Sequence, residues 1–285
     1  MLWKRVKGDE GLYSLEIMGS GHINIVTWNI NGCSTPIKRK KVLTYLKSKG
    51  TDIAYIQETH FRDQDEALKM KRDWVGHVFH NSVSSKSCGV VILINKKLNF
   101  AMVNQFKDSH GRILVVEALI NGVKVVLCNL YAPNRENTLF FHEVNKILGD
   151  TDGQIIRGGD FNQAIDDHLD RSNIRTGTSS RDGAALDTLQ KELGLTDIWR
   201  LINPKKREYT FYSHSHRSYS RIDFFLVASS LVDLVIDCNI GVIAITDHAP
   251  VELHINLHST KGNAGRWRLN TSLLPQNLVR ILGCF

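Results

Sequence analysis

The chain is 285 residues long, 42% hydrophobic and 23% charged, with 36 Lys+Arg against 29 Asp+Glu for a net charge of +7. That is ample sequence to bury a core in one large domain or two small ones, and the balance excludes collagen, coiled coil and wholesale disorder. The densest apolar run, residues 90–94, falls far short of the roughly 18 residues that cross a bilayer, so no membrane partner is expected.

The first 20 residues lack a clean period and carry neither a signal-peptide core nor a small-residue cleavage site; residues 1–21 read as an N-terminal extension. A strand is predicted over 22–28, running into T-W-N-I-N-G with Asn29 and Asn31 at its end. A helix over 37–49 follows, with Val42, Leu43 and Leu46 on one side. Its Lys38-Arg39-Lys40-Lys41 reads as a solvated face, and is also similar to a nuclear-localisation tetrapeptide. Strand 53–56 ends in Q-E-T-H with Glu58. Strands 89–94, 113–120 and 123–130 come next. Asn121-Gly122 between the last two signals a hairpin, and the third runs into N-L-Y-A-P-N with Tyr131 and Asn134.

Residues 140–148 form a second predicted helix, and a short strand 154–156 precedes G-G-D-F-N, with Asp160 and Asn162. A third helix over 182–193 spaces Leu186, Leu189 and Leu193 helically, with Gly194 as its stop. Strands 209–213 and 222–227 flank a polar, aromatic and basic stretch, Y-S-H-S-H-R-S-Y-S-R, and are expected to pair with each other. Asp223 interrupts the second of them. T-D-H-A-P then sets Asp247 and His248 just before a last strand, 251–257, and residues 259–285 read as a linker-like tail.

Several of these strands are apolar on both faces, as buried strands are. The expected fold is α/β: a four-layered α/β sandwich of two packed β-sheets flanked by helices, filling residues 22–258 as one domain. The five cysteines, Cys33, Cys88, Cys128, Cys238 and Cys284, are scattered and never form a C-x-x-C pair. A disulfide framework or zinc knuckle is not expected, and a reducing compartment is.

Taken singly, Asn-Gly and Asp-Phe-Asn are turn chemistry and a strand-end Glu is solvated. Polar strand ends recurring through one domain point instead to a site built on loops at one sheet edge. Asp160 and Asn162 stand two apart and face the same way in extended chain, as do Asn29 and Asn31. A buried Asp223 needs a partner, and His248 is a natural one, since a carboxylate on one imidazole nitrogen fixes the tautomer. Carboxylates and amide oxygens without a Cys ligand suit a hard cation, Mg²⁺ with Mn²⁺ as substitute. With the basic excess, this combination suits hydrolysis of a phosphodiester.

These motifs, in this order, resemble the endonuclease/exonuclease/phosphatase superfamily, more closely its apurinic-endonuclease (exonuclease III) type. The nearest likeness is to the endonuclease domain of LINE-type non-LTR retrotransposons, carried by G-D-F-N, N-L-Y-A-P-N, L-D-R-S (169–172), Y-T-F-Y-S-H-S-H-R-S-Y-S-R-I-D-F-F-L and R-W-R-L-N (266–270). The resemblance implies a Mg²⁺-dependent DNA endonuclease that leaves 3′-hydroxyl ends. Its implied metal region is Asn29, Glu58, Asp160, Asn162, Asp247 and His248, with Glu58 the main carboxylate. Asp160 would activate the attacking water and Asn162 stabilise the transition state. His248, held by Asp223, would handle the proton, and Tyr131 and Asn134 would bind phosphate or assist the leaving group. Arg171 and the hairpin tip, with His216, Arg217 and Ser218, would grip double-stranded DNA.

The implied setting is a nuclear monomer, cytoplasm being the alternative, that is either excised from a reverse-transcriptase polyprotein or a truncated copy of one. An abasic-site repair endonuclease or 3′–5′ exonuclease is the nearest alternative, followed by a phosphatase of the superfamily and a non-catalytic DNA-binding remnant. Two positions depart from the pattern: Asn31 stands where the repair enzymes carry Asp in W-N-x-D-G, and Arg157 stands where an apolar residue is usual.

Overall fold

The computed structural model describes residues 4–7, 13–16, 21–83, 88–134, 137–173 and 181–258. The tail 259–285, with R-W-R-L-N and Cys284, lies outside the described residues. The first half of the chain forms β1 (Lys4–Lys7), β2 (Tyr13–Glu16), β3 (His22–Asn29), α1 (Pro36–Ser48), β4 (Ile53–Gln57), α2 (Gln64–Leu68), β5 (Val75–Asn81), β6 (Val90–Asn95), β7 (Phe100–Lys107), β8 (Ile113–Ile120) and β9 (Val123–Tyr131). The second half forms α3 (Asn137–Gly149), β10 (Gln154–Asp160), α4 (Arg181–Glu192), β11 (Leu195–Asp197), α5 (Ile198–Ile202), β12 (Phe211–Ser213), β13 (Ser218–Ser220), β14 (Asp223–Ala228), β15 (Val235–Ile240) and β16 (Val251–Asn256).

One six-stranded sheet runs β15-β16-β3-β4-β6-β5 and a second runs β11-β14-β10-β9-β8-β7. Each contains one parallel pair, β3 with β4 and β9 with β10, amid antiparallel neighbours. Strand alternation builds the layers. In β3, Ile23 and Ile25 enter the core between the sheets, against Leu127, Ile156 and Phe225. Val26 and Trp28 of the same strand turn outward onto Val42, Leu43 and Leu46 of α1. On the far side, Phe141 and Val144 of α3 and Leu186 of α4 cover Val126, Leu130 and Phe224. Each such side chain, fully buried, contributes about 1.5–3 kcal/mol, which is why strands with two apolar faces occupy the middle of both sheets. The result is the four-layered sandwich expected.

Three differences from the expected elements have local causes. First, β10 continues past residue 156 through Gly158-Gly159 to Asp160. A Cβ at Gly158 would lie 2.6 Å from the Phe225 ring, and one at Gly159 2.0 Å from the Leu130 carbonyl oxygen, so only glycine lets the strand run on between its neighbours. Second, segments 209–213 and 222–227 do not pair with each other. β12 pairs with β13 across a tight reversal in which Arg217 takes φ 47°, while apolar β14 pairs with β10 and β11 inside the second sheet. Third, β5, β7, β11, β13, β15 and α2 and α5 carry no clear period; β7 is an almost wholly exposed edge strand.

Arg157 is fully buried under α3, donating from Nη1 to Asn145 Oδ1 at 3.0 Å with its guanidinium over the Phe161 ring. Burial pushes its pKa down to about 10. The Lys38–Lys41 run is not one solvated face: Arg39 is buried and donates to the carbonyl oxygens of Cys33 and Ser34. Burial likewise raises the thiol of Cys33 to about 11 and that of Cys128 to about 12.

Candidate active site

Topology brings the polar strand ends to one edge. β3 and β4 run parallel, as do β9 and β10, so Asn29, Glu58, Tyr131 and Asp160 all emerge where those strands finish. β14 runs antiparallel to β10 with Asp223 opposite Asp160, and β16 runs antiparallel to β3, so Asp223 and His248 arrive at the same edge from the other direction.

Asn29, fully buried, joins the two halves. Its amide nitrogen donates to Glu58 Oε1 at 2.9 Å and to Asp160 Oδ2 at 2.8 Å, while its Oδ1 accepts the Asn31 N–H at 2.9 Å. Glu58 stands at φ 50°, turned out of β4 with its carboxylate partly exposed. The buried Tyr131 phenol hydrogen-bonds with Glu58; burial first, then the Glu58 and Asp160 charges, hold its proton far more tightly than in free tyrosine.

The second carboxylate belongs to a line of groups. His248 Nδ1 lies 2.9 Å from Asp223 Oδ2, and its Nε2 lies 3.9 Å from Asp160 Oδ2. Thr210, also buried, accepts the backbone N–H groups of Ile222 (3.0 Å) and Asp223 (3.1 Å) on its hydroxyl, fixing where the Asp223 side chain starts. Burial and the neighbouring Asp223 charge raise the Asp160 pKa to about 7, against the opposing pull of His248. Burial disfavours the His248 imidazolium, but Asp223, Asp160 and Asp247 together outweigh it and raise that pKa to about 9.

Asp160, Asp223 and His248 each bring one potential ligand atom within 4.8 Å of the others. His248 is nonetheless already engaged: Asp223 hydrogen-bonds Nδ1, and Nε2 faces Asp160 at 3.9 Å, beyond hydrogen-bond distance, leaving room for a substrate oxygen. Glu58 and Asp160, joined through Asn29, present oxygens only, and Asp247 adds a third carboxylate that accepts from Asn31 Nδ2 at 3.4 Å. An oxygen-only set of this kind fits a hard divalent cation. Asn162, at φ 49°, donates its N–H to Asp160 Oδ1 at 2.8 Å and its amide to the Ala132 carbonyl oxygen at 2.7 Å.

The DNA-gripping candidates lie apart from this cluster. Asn134 is exposed beyond β9, and His216 and Arg217 are exposed at the β12–β13 tip, with Ser218 half-buried. Arg171 pairs with Asp167 at 2.7 Å. The hairpin is nevertheless tied to the catalytic edge: the Phe211 ring packs on His248, centroids 4.6 Å apart, and the Tyr212 N–H donates to the Asp247 carbonyl oxygen at 3.1 Å.

Residues absent from the sequence reading hold that hairpin. Asp170, the acid of L-D-R-S, is fully buried and takes Arg221 through both Nε (2.8 Å) and Nη2 (3.0 Å), plus Arg200 (2.5 Å). Arg221 also reaches Asp197 at 2.7 Å, and Ser172 Oγ accepts the Tyr219 N–H. The sequence signals were an acid inside L-D-R-S and a charged residue beside the apolar run of β14. The two lie 51 positions apart.

Compared with known proteins, residues 26–248 match the model of the Endonuclease/Exonuclease/phosphatase family. The chain is 31% identical over 258 residues to the Transposon TX1 uncharacterized 149 kDa protein of Xenopus laevis, covering 88% of this chain and 19% of that protein. It is 26% identical over 259 residues to Exodeoxyribonuclease of Bacillus subtilis (strain 168), covering 82% of this chain and 100% of that one. The fold is similar to that of the AP endonuclease LMAP from Leishmania major, with a TM-score of 0.70 at 18% identity, over 83% of this chain and 88% of the other.

Proposed function

The chain belongs to the endonuclease/exonuclease/phosphatase family, and from that premise we propose that it is a Mg²⁺-dependent DNA endonuclease leaving 3′-hydroxyl ends, which nicks target DNA for a non-LTR retrotransposon. One observation carries the reading: Asn29 bridges Glu58 and Asp160 beside an imidazole held between two buried carboxylates. Such a site suits a reaction that needs both an oxygen-ligated cation and managed protons.

Glu58 is the residue that would hold the cation, with Asp160 and Asp247 beside it and Asn29, Asn162 and His248 around them. Bound there, Mg²⁺ supplies Lewis-acid neutralisation of charge on the phosphodiester, and Mn²⁺ would substitute. The chain's own groups do the rest. Asp160, aimed by the Asn29 amide and the Asn162 N–H, takes the proton of the attacking water. Asn162 faces the phosphoryl group as charge builds on it. His248 stays an imidazolium at neutral pH, its Nδ1–H donated to Asp223, and presents Nε2–H to a phosphoryl oxygen. Tyr131, beside Glu58, stands by the leaving oxygen. Arg171, Asn134, His216, Arg217 and Ser218 would flank the double-stranded substrate.

The transposon relative, of which this chain spans 19%, supports a mobile-element setting within a longer protein; the reading adds that the module is monomeric, is joined to a reverse transcriptase and acts in the nucleus. The Bacillus exodeoxyribonuclease, matched over its whole length, favours a second reading, an abasic-site endonuclease or 3′–5′ exonuclease. Supercoiled plasmid, incubated with and without Mg²⁺, tests the first. Nicked circles that a polymerase extends directly are expected; extension only after phosphatase treatment, or nicking confined to abasic plasmid, overturns it.

A further inference from the structure

We infer that Arg112 is a phosphate-binding residue at the catalytic rim, gripping the DNA backbone beside the scissile bond while it braces Tyr131; the inference rests on the nuclease reading above. Arg112 lies in the turn between β7 and β8, and that turn is built around one buried carboxylate. Asp108 accepts the backbone N–H groups of His110 (3.0 Å), Arg112 (2.8 Å) and Ile113 (2.7 Å), and the Asn81 side-chain amide at 2.6 Å. Gly111 takes φ 71°, where side chains are disfavoured, and its carbonyl oxygen accepts the Gly89 N–H. The backbone of Arg112 is therefore set before any ligand arrives.

Its side chain leads to the catalytic cluster. Tyr131 N–H donates to the Arg112 carbonyl oxygen at 2.9 Å, Arg112 Nη1 donates to the Tyr131 carbonyl oxygen at 3.4 Å, and the guanidinium carbon lies 5.2 Å from the Tyr131 ring centroid. The same ring reaches Glu58 through its hydroxyl. Arg112 is half-buried, and no carboxylate lies within 4.0 Å of it among the described residues. Of its five N–H donors only one is engaged, at a long distance. Three arginines that hold the hairpin base, by contrast, have carboxylate partners: Arg171 pairs with Asp167, and Arg200 and Arg221 pair with Asp170. A planar fork with open donors, fixed beside a site for phosphodiesters, matches a phosphate oxygen pair.

Binding of a duplex of about 20 base pairs, measured in EDTA so that the DNA stays intact, tests this through its salt dependence. Each phosphate contact contributes about 0.9 to the slope of log K against log salt. Arg112→Gln should lower the slope by about that amount, and Arg112→Lys should keep it. An unchanged slope in Arg112→Gln overturns the inference, as does a Lys variant as deficient as Gln. Phenylglyoxal modification of the unaltered protein, read by mass spectrometry, gives an answer independent of folding: DNA should protect Arg112, and modification undiminished by DNA refutes the contact. Plasmid nicking by the same protein keeps the two readings apart. If nicking proceeds and the slope does not move, Arg112 alone is misassigned; if the slope moves and no nicking occurs, the nuclease reading fails.

Discussion

Asp223→Asn gives the most direct test of how the catalytic edge works. Asp223 is fully buried, Oδ2 holds His248 Nδ1 at 2.9 Å, and Oδ1 has no partner among the described residues. The substitution keeps the shape and removes the charge. A hydrogen bond to a charged group contributes about 1.5–3 kcal/mol, so its loss should slow nicking by about 10- to 150-fold. Without that anion, burial drives His248 towards its neutral form, and an Asn carbonyl oxygen accepting from Nδ1 keeps the single proton there and leaves Nε2 with no N–H for the phosphoryl oxygen. His248→Ala removes the same function outright. The two residues therefore act as a unit: the double variant should fall within about threefold of the worse single, a coupling of at least about 0.7 kcal/mol relative to additivity. Single-turnover nicking of supercoiled plasmid at saturating Mg²⁺ measures this, with thermal melting to verify that each variant folds. If the logarithmic losses simply add, Asp223 and His248 work independently and the coupling is refuted.

The remaining expectations concern other parts of the molecule. Glu58→Gln and Asp160→Asn should each cost at least about a thousandfold in Mg²⁺-dependent nicking without loss of fold; activity within a few-fold of the unaltered protein would move the site elsewhere. Asp170→Asn leaves Arg221 with Asp197 as its one carboxylate partner among the described residues and should cost about 1.5–3 kcal/mol of stability, seen as a lower urea midpoint. Burial alone would raise the Asp170 carboxyl, but Arg221 and Arg200 outweigh it and hold it below the usual range. Its contribution is then fully present above about pH 4 and lost as pH falls through the folded value, so the variant should show a flatter acid limb in urea midpoints. Arg157 has one hydrogen bond and no carboxylate partner among the described residues, so Arg157→Met should change the midpoint little or raise it; a large fall would mean that the cation is needed. His216→Gly with Arg217→Gly, easily accommodated because Arg217 already sits at φ 47°, should flatten the nick-site profile while total rate stays within about tenfold. Sequencing nick positions reads this directly, and an unaltered profile would make the hairpin tip scaffold.

Local pattern decided a good deal. β3, β8, β9 and β16 were legible because strands in the middle of a sandwich are apolar on both faces, and α1 and α3 because each buries one stripe. Polar residues at the ends of such strands were conspicuous for the same reason, since burial leaves few places for Asn29, Glu58, Asp160 or Asp223 without a task. Edge strands such as β7 bury little, so their sequence is free to drift and carries no period.

What a sequence cannot carry is the identity of a partner. Burial is written residue by residue, whereas pairing is a property of two distant positions at once. Asp170 and Arg221 stand 51 positions apart, and only folding brings them within 3 Å of each other and away from water. The pairing of β14 with β10, which sets Asp223 opposite Asp160, depended on the competition between a short ribbon and a complete sheet. So did the Asn29 bridge, where a side chain from one sheet satisfies a carboxylate on the other. The composition and motifs named the chemistry; the close approach of the two sheets, driven by apolar burial, set which groups share a proton.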